Sequence, residues 1–399
     1  MRGLFVSSAL AMLIAAAGSA VEAVKIVVLP LDNLSKTASL QWLSEGLAVE
    51  LSEQLPVPGL DVVGRDRTAP MVEALDLPPN ASLSRASMIR VAQECAADYL
   101  LTGSFTGTAE KLQITLRILN MKSMKLGPGI TASGVAASLP QMENQLAWDV
   151  LSGLGLSGNI ARDEHRRRTR SIPNEAFSLF VRSFSVPDED ERAKMLERAV
   201  ELHGDYPEAQ YRLGRYYFQE GDCAKALSAL AVAGREEQFL LHSKFMTGTC
   251  YLKQDALPEA IRAYSHVLAL ARPYEVFNNL AVAYLRQGDY PLAIANLLDA
   301  RKLSPDDLTI ELNLALARHL DGNHQAAREI LDQSIRKHPN NGMLRYLLGL
   351  VLSDLLDIPG AEAALQQAKS LGADPQKLQS QELKSWARIF SSWHPSPSR

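Results

Sequence analysis

Apolar residues along this 399-residue chain follow two rhythms. Before about residue 160 they form short runs and alternations. Val24 to Leu29 is an apolar run rich in β-branched residues that ends at Pro30, and Leu60-Asp61-Val62-Val63 is a second. Both predict strands. Between them Leu40, Leu43, Leu47, Leu51 and Leu55 fall at helical spacing, and Pro56 and Pro58-Gly59 stop that helix. Ser84 is placed to cap a helix running to about Ala97, with Cys95 buried on it, and Asp98 to Phe105 reads as the next strand. From Lys111 to Asn120 the chain alternates, with Leu112, Ile114, Leu116 and Ile118 on one face. Gly127-Pro128-Gly129 predicts a turn into a partner strand over Ile130 to Ala137, and Leu139 to Leu151 predicts a closing helix. The order is βαβα, then an antiparallel meander and a helix, a small α/β domain over residues 24–160.

From residue 174 to 375 the rhythm is helical and it repeats. Small residues recur at Gly214, Gly248, Ala281, Ala315 and Gly349, at intervals of 34, 33, 34 and 34. A second set, Ala226, Ala260, Ala293, Ala327 and Ala361, keeps the same intervals. One small residue on each helix of a hairpin lets two backbones approach closely. This period and residue choice resemble the tetratricopeptide repeat. Five copies fit well. A degenerate sixth precedes them, ending Ala199 to Tyr206 and carrying Pro187 to Asp190 in place of the turn between its helices. Atypical terminal copies suit a stack that must be capped. Leu378 to Phe390 is expected to form a capping helix within 376–399, and Trp393-His394-Pro395 a frayed tail. The fold class is therefore a small α/β domain plus an all-α tetratricopeptide-repeat solenoid.

The N-terminal domain carries its own resemblance. Val27-Val28-Leu29-Pro30-Leu31-Asp32-Asn33-Leu34-Ser35 followed by Trp42-Leu43-Ser44-Glu45-Gly46-Leu47 is similar to the opening of TolB-type N-terminal domains, and to FlgO-type envelope domains. Gly59 to Arg65, Ala97 to Ser104 and Leu112 to Leu119 fit in order. The resemblance implies a non-catalytic, envelope-associated module, often followed by tetratricopeptide repeats.

In such solenoids the first helix of each hairpin lines a concave face, an assignment that comes from the resemblance. Mapped here, it gives Tyr211, Arg215, Phe218, Phe245, Thr249, Leu252, Asn278, Val282, Leu285, Leu312, Leu316, His319, Tyr346, Leu350 and Ser353, and Asn313 beside them joins the expected groove. Most are apolar or aromatic, and the lysine and arginine clamp of chaperone-binding members is missing. Arg215 with Asn278, Asn279 and Asn313 is placed to hold backbone or carboxylate groups. The expected partner is a protein or peptide, apolar or amphipathic. The other reading is that these side chains pack between repeats or against the C-terminal helix. Cys223 begins the second helix of one hairpin and Cys250 lies late in the first helix of the next. Antiparallel stacking sets these ends side by side, so they form either a disulfide or two small buried positions.

Composition narrows the function. Lys and Arg number 41 against 45 Asp and Glu, for a net charge of −4, which gives no sign of nucleic-acid binding. Residues 1–23 read as a cleaved signal peptide: Met1-Arg2, an apolar stretch from Leu4 to Ala17, then small residues. A kept anchor is the alternative, although the run is short for a membrane span. The implied location is the periplasm or envelope of a bacterium. Residues 161–173, with Arg162, Arg166, Arg167, Arg168 and Arg170, read as an exposed linker. Any membrane association is expected to be peripheral and through that linker.

Catalytic signatures are missing. There is no nucleophile elbow, phosphate loop or H-E-x-x-H. All eight histidines lie at or beyond His165, and His319 and His324, five apart across a turn, do not share a helix face. Gly153-Leu154-Gly155-Leu156-Ser157-Gly158 spells G-x-G-x-x-G but follows a helix, where a dinucleotide site needs a strand. No metal or cofactor is expected. The chain reads as an exported adaptor. The alternatives are an envelope assembly or transport component whose N-terminal domain oligomerises, and a hydrolase without a recognised signature.

Overall fold

A computed structural model describes residues 23–35, 38–74, 82–169, 171–373 and 383–393. Residues 1–22 of the expected signal peptide lie outside the described residues. The chain divides into two compact units, residues 1–185 and 186–399.

The first unit is built on a mixed six-stranded sheet. Its elements are β1 (Val24–Val28), β2 (Asp32–Asn33), α1 (Leu43–Gln54), β3 (Leu60–Val63), α2 (Arg65–Glu73), α3 (Arg85–Glu94), β4 (Tyr99–Gly107), β5 (Leu112–Asn120), β6 (Ile130–Gly134), α4 (Leu139–Gly153), α5 (Arg162–Arg167) and α6 (Asn174–Ser183). The order across the sheet is β3-β1-β4-β5-β6, with β2 paired to β4. β1 runs parallel to β3 and β4, and the meander β4-β5-β6 is antiparallel. Strand alternation sends Ile26, Val28, Leu101, Phe105, Ile114 and Leu116 to one face, where α1 and α4 cover them with Leu47, Leu51, Leu146 and Val150. Val27, Leu29, Val63, Leu100 and Leu119 point to the other face, under Val91 and Ala92 of α3. Ser84 caps α3 by accepting from the Ser87 amide, as its position predicted. The helix α2 was not anticipated, because Pro70 stands inside it. A proline there costs a hydrogen bond and weakens the helical reading.

The arginine-rich stretch is not an exposed linker. It folds as α5 on the first unit, where His165 is fully buried. The Asn144 side chain donates to the His165 carbonyl at 2.8 Å. Arg168 donates to the Pro56 carbonyl at 2.6 Å, and Arg162 lies 4.5 Å over the Trp148 ring. These arginines find carbonyl and aromatic partners on their own unit, while Arg166 and Arg167 stay exposed. Burial, with Arg162 and Arg168 close by, pushes the His165 imidazolium below its ordinary value. α6, expected as the start of the repeat array, also belongs to this unit: Phe177 meets Trp42 edge-on at 5.9 Å.

The second unit begins with α7 (Glu189–Leu202), capped by Asp188, and continues as five hairpins. They are α8 (Pro207–Gln219) with α9 (Cys223–Ala233), α10 (Glu237–Lys253) with α11 (Leu257–Leu270), α12 (Tyr274–Gln287) with α13 (Tyr290–Leu303), α14 (Leu308–Leu320) with α15 (His324–Lys337), and α16 (Gly342–Asp354) with α17 (Ile358–Ser370). The repeat positions lie where helix meets helix. Ala226, Ala260, Ala281, Ala293, Ala315 and Ala327 have no exposed surface, and Ala361 has 4%. A Cβ on Gly214 or Gly349 would stand 2.7 Å from a leucine of the partner helix, and one on Gly248 would stand 2.8 Å from the Tyr264 ring. Successive first helices touch one another along one face of the unit.

The tight turn between the two helices of each hairpin places one residue in the left-handed region: Gly221, Asp255, Gly288, Gly322 and Leu356. Glycine meets this demand freely in three repeats, and Asp255 and Leu356 meet it under strain. Among the described residues no helix is long and apolar enough to cross a membrane.

Candidate functional site

The face formed by the first helices is where sequence placed a binding surface, and in the structure residues 383–393 of the same chain lie on it. Leu383–Trp386 is a single 3₁₀ turn, and residues 387–393 continue without helix or strand. Residues 378–382 of the expected capping helix lie outside the described residues, and its remainder is a strap, hydrogen-bonded to α12 and α14. Trp393 is not frayed. It is 6% exposed and meets Phe245 edge-on, with ring centroids 5.8 Å apart.

Two asparagines each grip one strap residue by both backbone groups. The Asn313 carboxamide donates to the Arg388 carbonyl at 2.7 Å and accepts from the Arg388 amide at 2.9 Å. Asn279 does the same with Phe390, at 2.8 Å in both directions. Asn278 adds a second donor to the Arg388 carbonyl at 2.9 Å and accepts from Asn313 at 2.8 Å. The gripped residues are two apart, as same-side residues of an extended chain are. All three asparagines have no exposed surface. A buried carboxamide left unpaired costs about 1–3 kcal/mol, so these side chains demand a backbone or an equivalent partner.

Behind them the polar chain continues. The Tyr264 hydroxyl lies 3.4 Å from the Asn279 nitrogen and 2.9 Å from Thr249 Oγ1, which itself donates to the Phe245 carbonyl. Full burial pushes the Tyr264 phenol above its ordinary value, so it stays protonated and able to donate.

Between these polar grips sit aromatic contacts. Trp386 packs on Tyr346 with ring centroids 5.3 Å apart, and Phe390 meets Tyr274 edge-on at 5.4 Å. The predicted set thus divides. Phe245, Asn278, Asn313 and Tyr346 touch the strap. Val282, Leu285 and Leu316 are buried among the helices. Tyr211 stacks on Phe239 at 4.5 Å and bonds His242, Phe218 lies under Lys253, and Arg215 remains exposed and apart from the asparagines. Tyr274 and Tyr264 were not anticipated as site residues, whereas packing of this face against the C-terminal segment was one of its two readings, there as a helix. The available signal was the placement of two of the four tryptophans in the last 14 residues.

The cysteines follow the second of their two readings. Cys223 and Cys250 are both buried but free, and not joined as a disulfide. Burial, and a hydrogen bond with Cys223, push the Cys250 thiol well above its ordinary value. Iodoacetamide at mildly alkaline pH is expected to spare both thiols in the folded chain and to label both after denaturation without reductant. Intact-mass analysis reads the outcome, and a failure to label the denatured chain would restore the disulfide.

Residues 193–236, 278–342 and 321–377 match the family model described as tetratricopeptide repeat. Among curated proteins, the BBSome complex member BBS4 of Bos taurus is 26% identical over 237 residues, covering 57% of this chain and 46% of that protein. The BBSome complex member BBS4 homolog of Drosophila melanogaster is 25% identical over 186 residues, covering 46% of this chain and 38% of that one. The chain spans less than half the length of these curated relatives. Among solved structures, YrrB, described as a TPR protein with an unusual peptide-binding site, is 16% identical with a TM-score of 0.41, over 49% of this chain and 98% of its own. A MamA crystal structure is 18% identical with a TM-score of 0.39, over 45% of this chain and 97% of its own.

Proposed function

We propose, on the premise that the hairpins of the second unit are tetratricopeptide repeats, that this chain is a non-catalytic scaffold. It captures an extended, aromatic-bearing peptide segment of a protein partner on its first-helix face. The strap holds that place until a partner displaces it. The carrying observation is the pair of two-way carboxamide grips, Asn313 on Arg388 and Asn279 on Phe390. Backbone grips of this kind supply affinity to any extended chain, and the pockets at Tyr346, Tyr274 and Phe245 select for aromatic side chains.

A tethered occupant competes at an effective concentration of about millimolar. A synthetic peptide with the sequence of residues 383–393 is therefore expected to bind the full-length chain only weakly. It is expected to bind at least about tenfold more tightly when the resident strap is weakened by Trp386→Ala and Trp393→Ala. Fluorescence anisotropy of labelled peptide measures this, and an absence of binding to the variant would refute the reading.

The N-terminal unit is proposed as the module that docks the scaffold in a bacterial envelope. Its support is the resemblance of its strand and helix segments to TolB-type domains, together with the export signal read in residues 1–23.

A further inference from the structure

The turn between α14 and α15 brings together two histidines that their spacing had separated. His319 lies in the last turn of α14 and His324 is the first residue of α15, with Gly322 left-handed between them. Because the chain reverses there, the helix-face argument does not apply, and the two Nδ1 atoms stand 3.1 Å apart. Asp354, the last residue of α16 in the next hairpin, turns a carboxylate oxygen toward both, 3.6 Å from His319 Nδ1 and 3.8 Å from His324 Nδ1.

These three separations fit a shared ion. The point equidistant from the three atoms in their own plane lies about 2.0 Å from each, and an ion lifted from that plane toward a fourth ligand lies about 2.2 Å from each, at the long end of Zn–N and Zn–O bonds. The edge of a tetrahedron of such ligands is about 3.3 Å, and the observed separations bracket it. The geometry points to a zinc site formed by His319, His324 and Asp354.

The ligand set supports that ion over others. Two imidazoles and one carboxylate suit a borderline ion, whereas calcium and magnesium require oxygen ligands throughout. Three protein ligands leave a fourth position, and the half-exposed Asp354 opens it to water or to a group from a partner. His319 is 7% exposed, and burial holds its imidazolium below the ordinary value despite the pull of Asp354. The bound ion would clip the α14–α15 hairpin to α16, the helices that supply Asn313 and Tyr346 to the strap.

The test uses the untagged full-length chain, stripped by chelator and titrated with zinc chloride by calorimetry and thermal melting. One equivalent is expected to bind with micromolar or tighter affinity and to raise the melting temperature, while magnesium at the same concentration leaves it unchanged. Cobalt(II) in place of zinc is expected to give the visible absorption of a tetrahedral site. Asp354→Asn, at a half-exposed position, is expected to keep the circular dichroism of the parent and to weaken zinc binding at least tenfold, as is His319→Ala. An absence of binding, or zinc affinity unchanged in both variants, would overturn the assignment.

Discussion

The full-length chain carrying Trp386→Ala and Trp393→Ala is expected to be cut by trypsin at Arg388–Ile389 about 100-fold faster than the parent. The Arg388 side chain is exposed in the parent, so the protease can read it. The bond itself is shielded, because its carbonyl accepts from both Asn278 and Asn313. Cleavage therefore requires the strap to leave the face. Truncating one buried tryptophan removes about 3 kcal/mol of contact. At 1.4 kcal/mol per decade, that shifts the docked-to-undocked ratio by about two decades. The second substitution adds to this until the strap is mainly undocked. Phe245, Tyr346 and the three buried asparagines then face water, and a lower melting temperature is expected as well. Equal cleavage rates in the two chains would mean that the strap does not occupy the face in solution.

Gly248→Ala is expected to destabilise the second unit by about 2 kcal/mol, whereas Gly214→Ala is expected to change it by less than about 0.5 kcal/mol. Both substitutions gain about 1 kcal/mol of helix propensity. Both also place a methyl group within 3.0 Å of the partner helix, so the difference lies in what must yield. At Gly214 the obstacle is the Leu230 side chain, buried but held by no hydrogen bond. At Gly248 it is the ring of Tyr264, which is fully buried and tied by its hydroxyl to Thr249 and Asn279. The ring cannot swing aside without disturbing the polar chain that ends at the strap. Gly248→Ala is therefore expected to loosen the strap too, and urea unfolding together with tryptic cleavage at Arg388 measures both effects. Equal stability losses at the two glycines would remove the special role given to Tyr264.

The sequence by itself determined the repeats. A hairpin that must bring two backbones together favours glycine or alanine at the crossing, so Gly214, Gly248, Gly349 and the alanines mark every copy at intervals of 33 or 34. It also determined strand β5 of the first unit, where alternation puts Leu112, Ile114 and Leu116 on one buried face. These are local rules, satisfied by residues a few positions apart.

Tertiary structure alone decided what those elements do. Asn313 and Arg388 are 75 residues apart, and Asn279 and Phe390 are 111 apart. No periodicity links them, and a carboxamide on a first helix reads alike whether it faces water, a neighbour or a strap. The same distance hid the packing of Arg168 on Pro56 and the approach of Asp354 to His319 and His324. Helix-face reasoning works within one helix and stops at the turn. The turn at Gly322 reverses the chain and brings two residues from different helices to 3.1 Å. The glycine shows that a turn is there; only the packed hairpins show which side chains it joins.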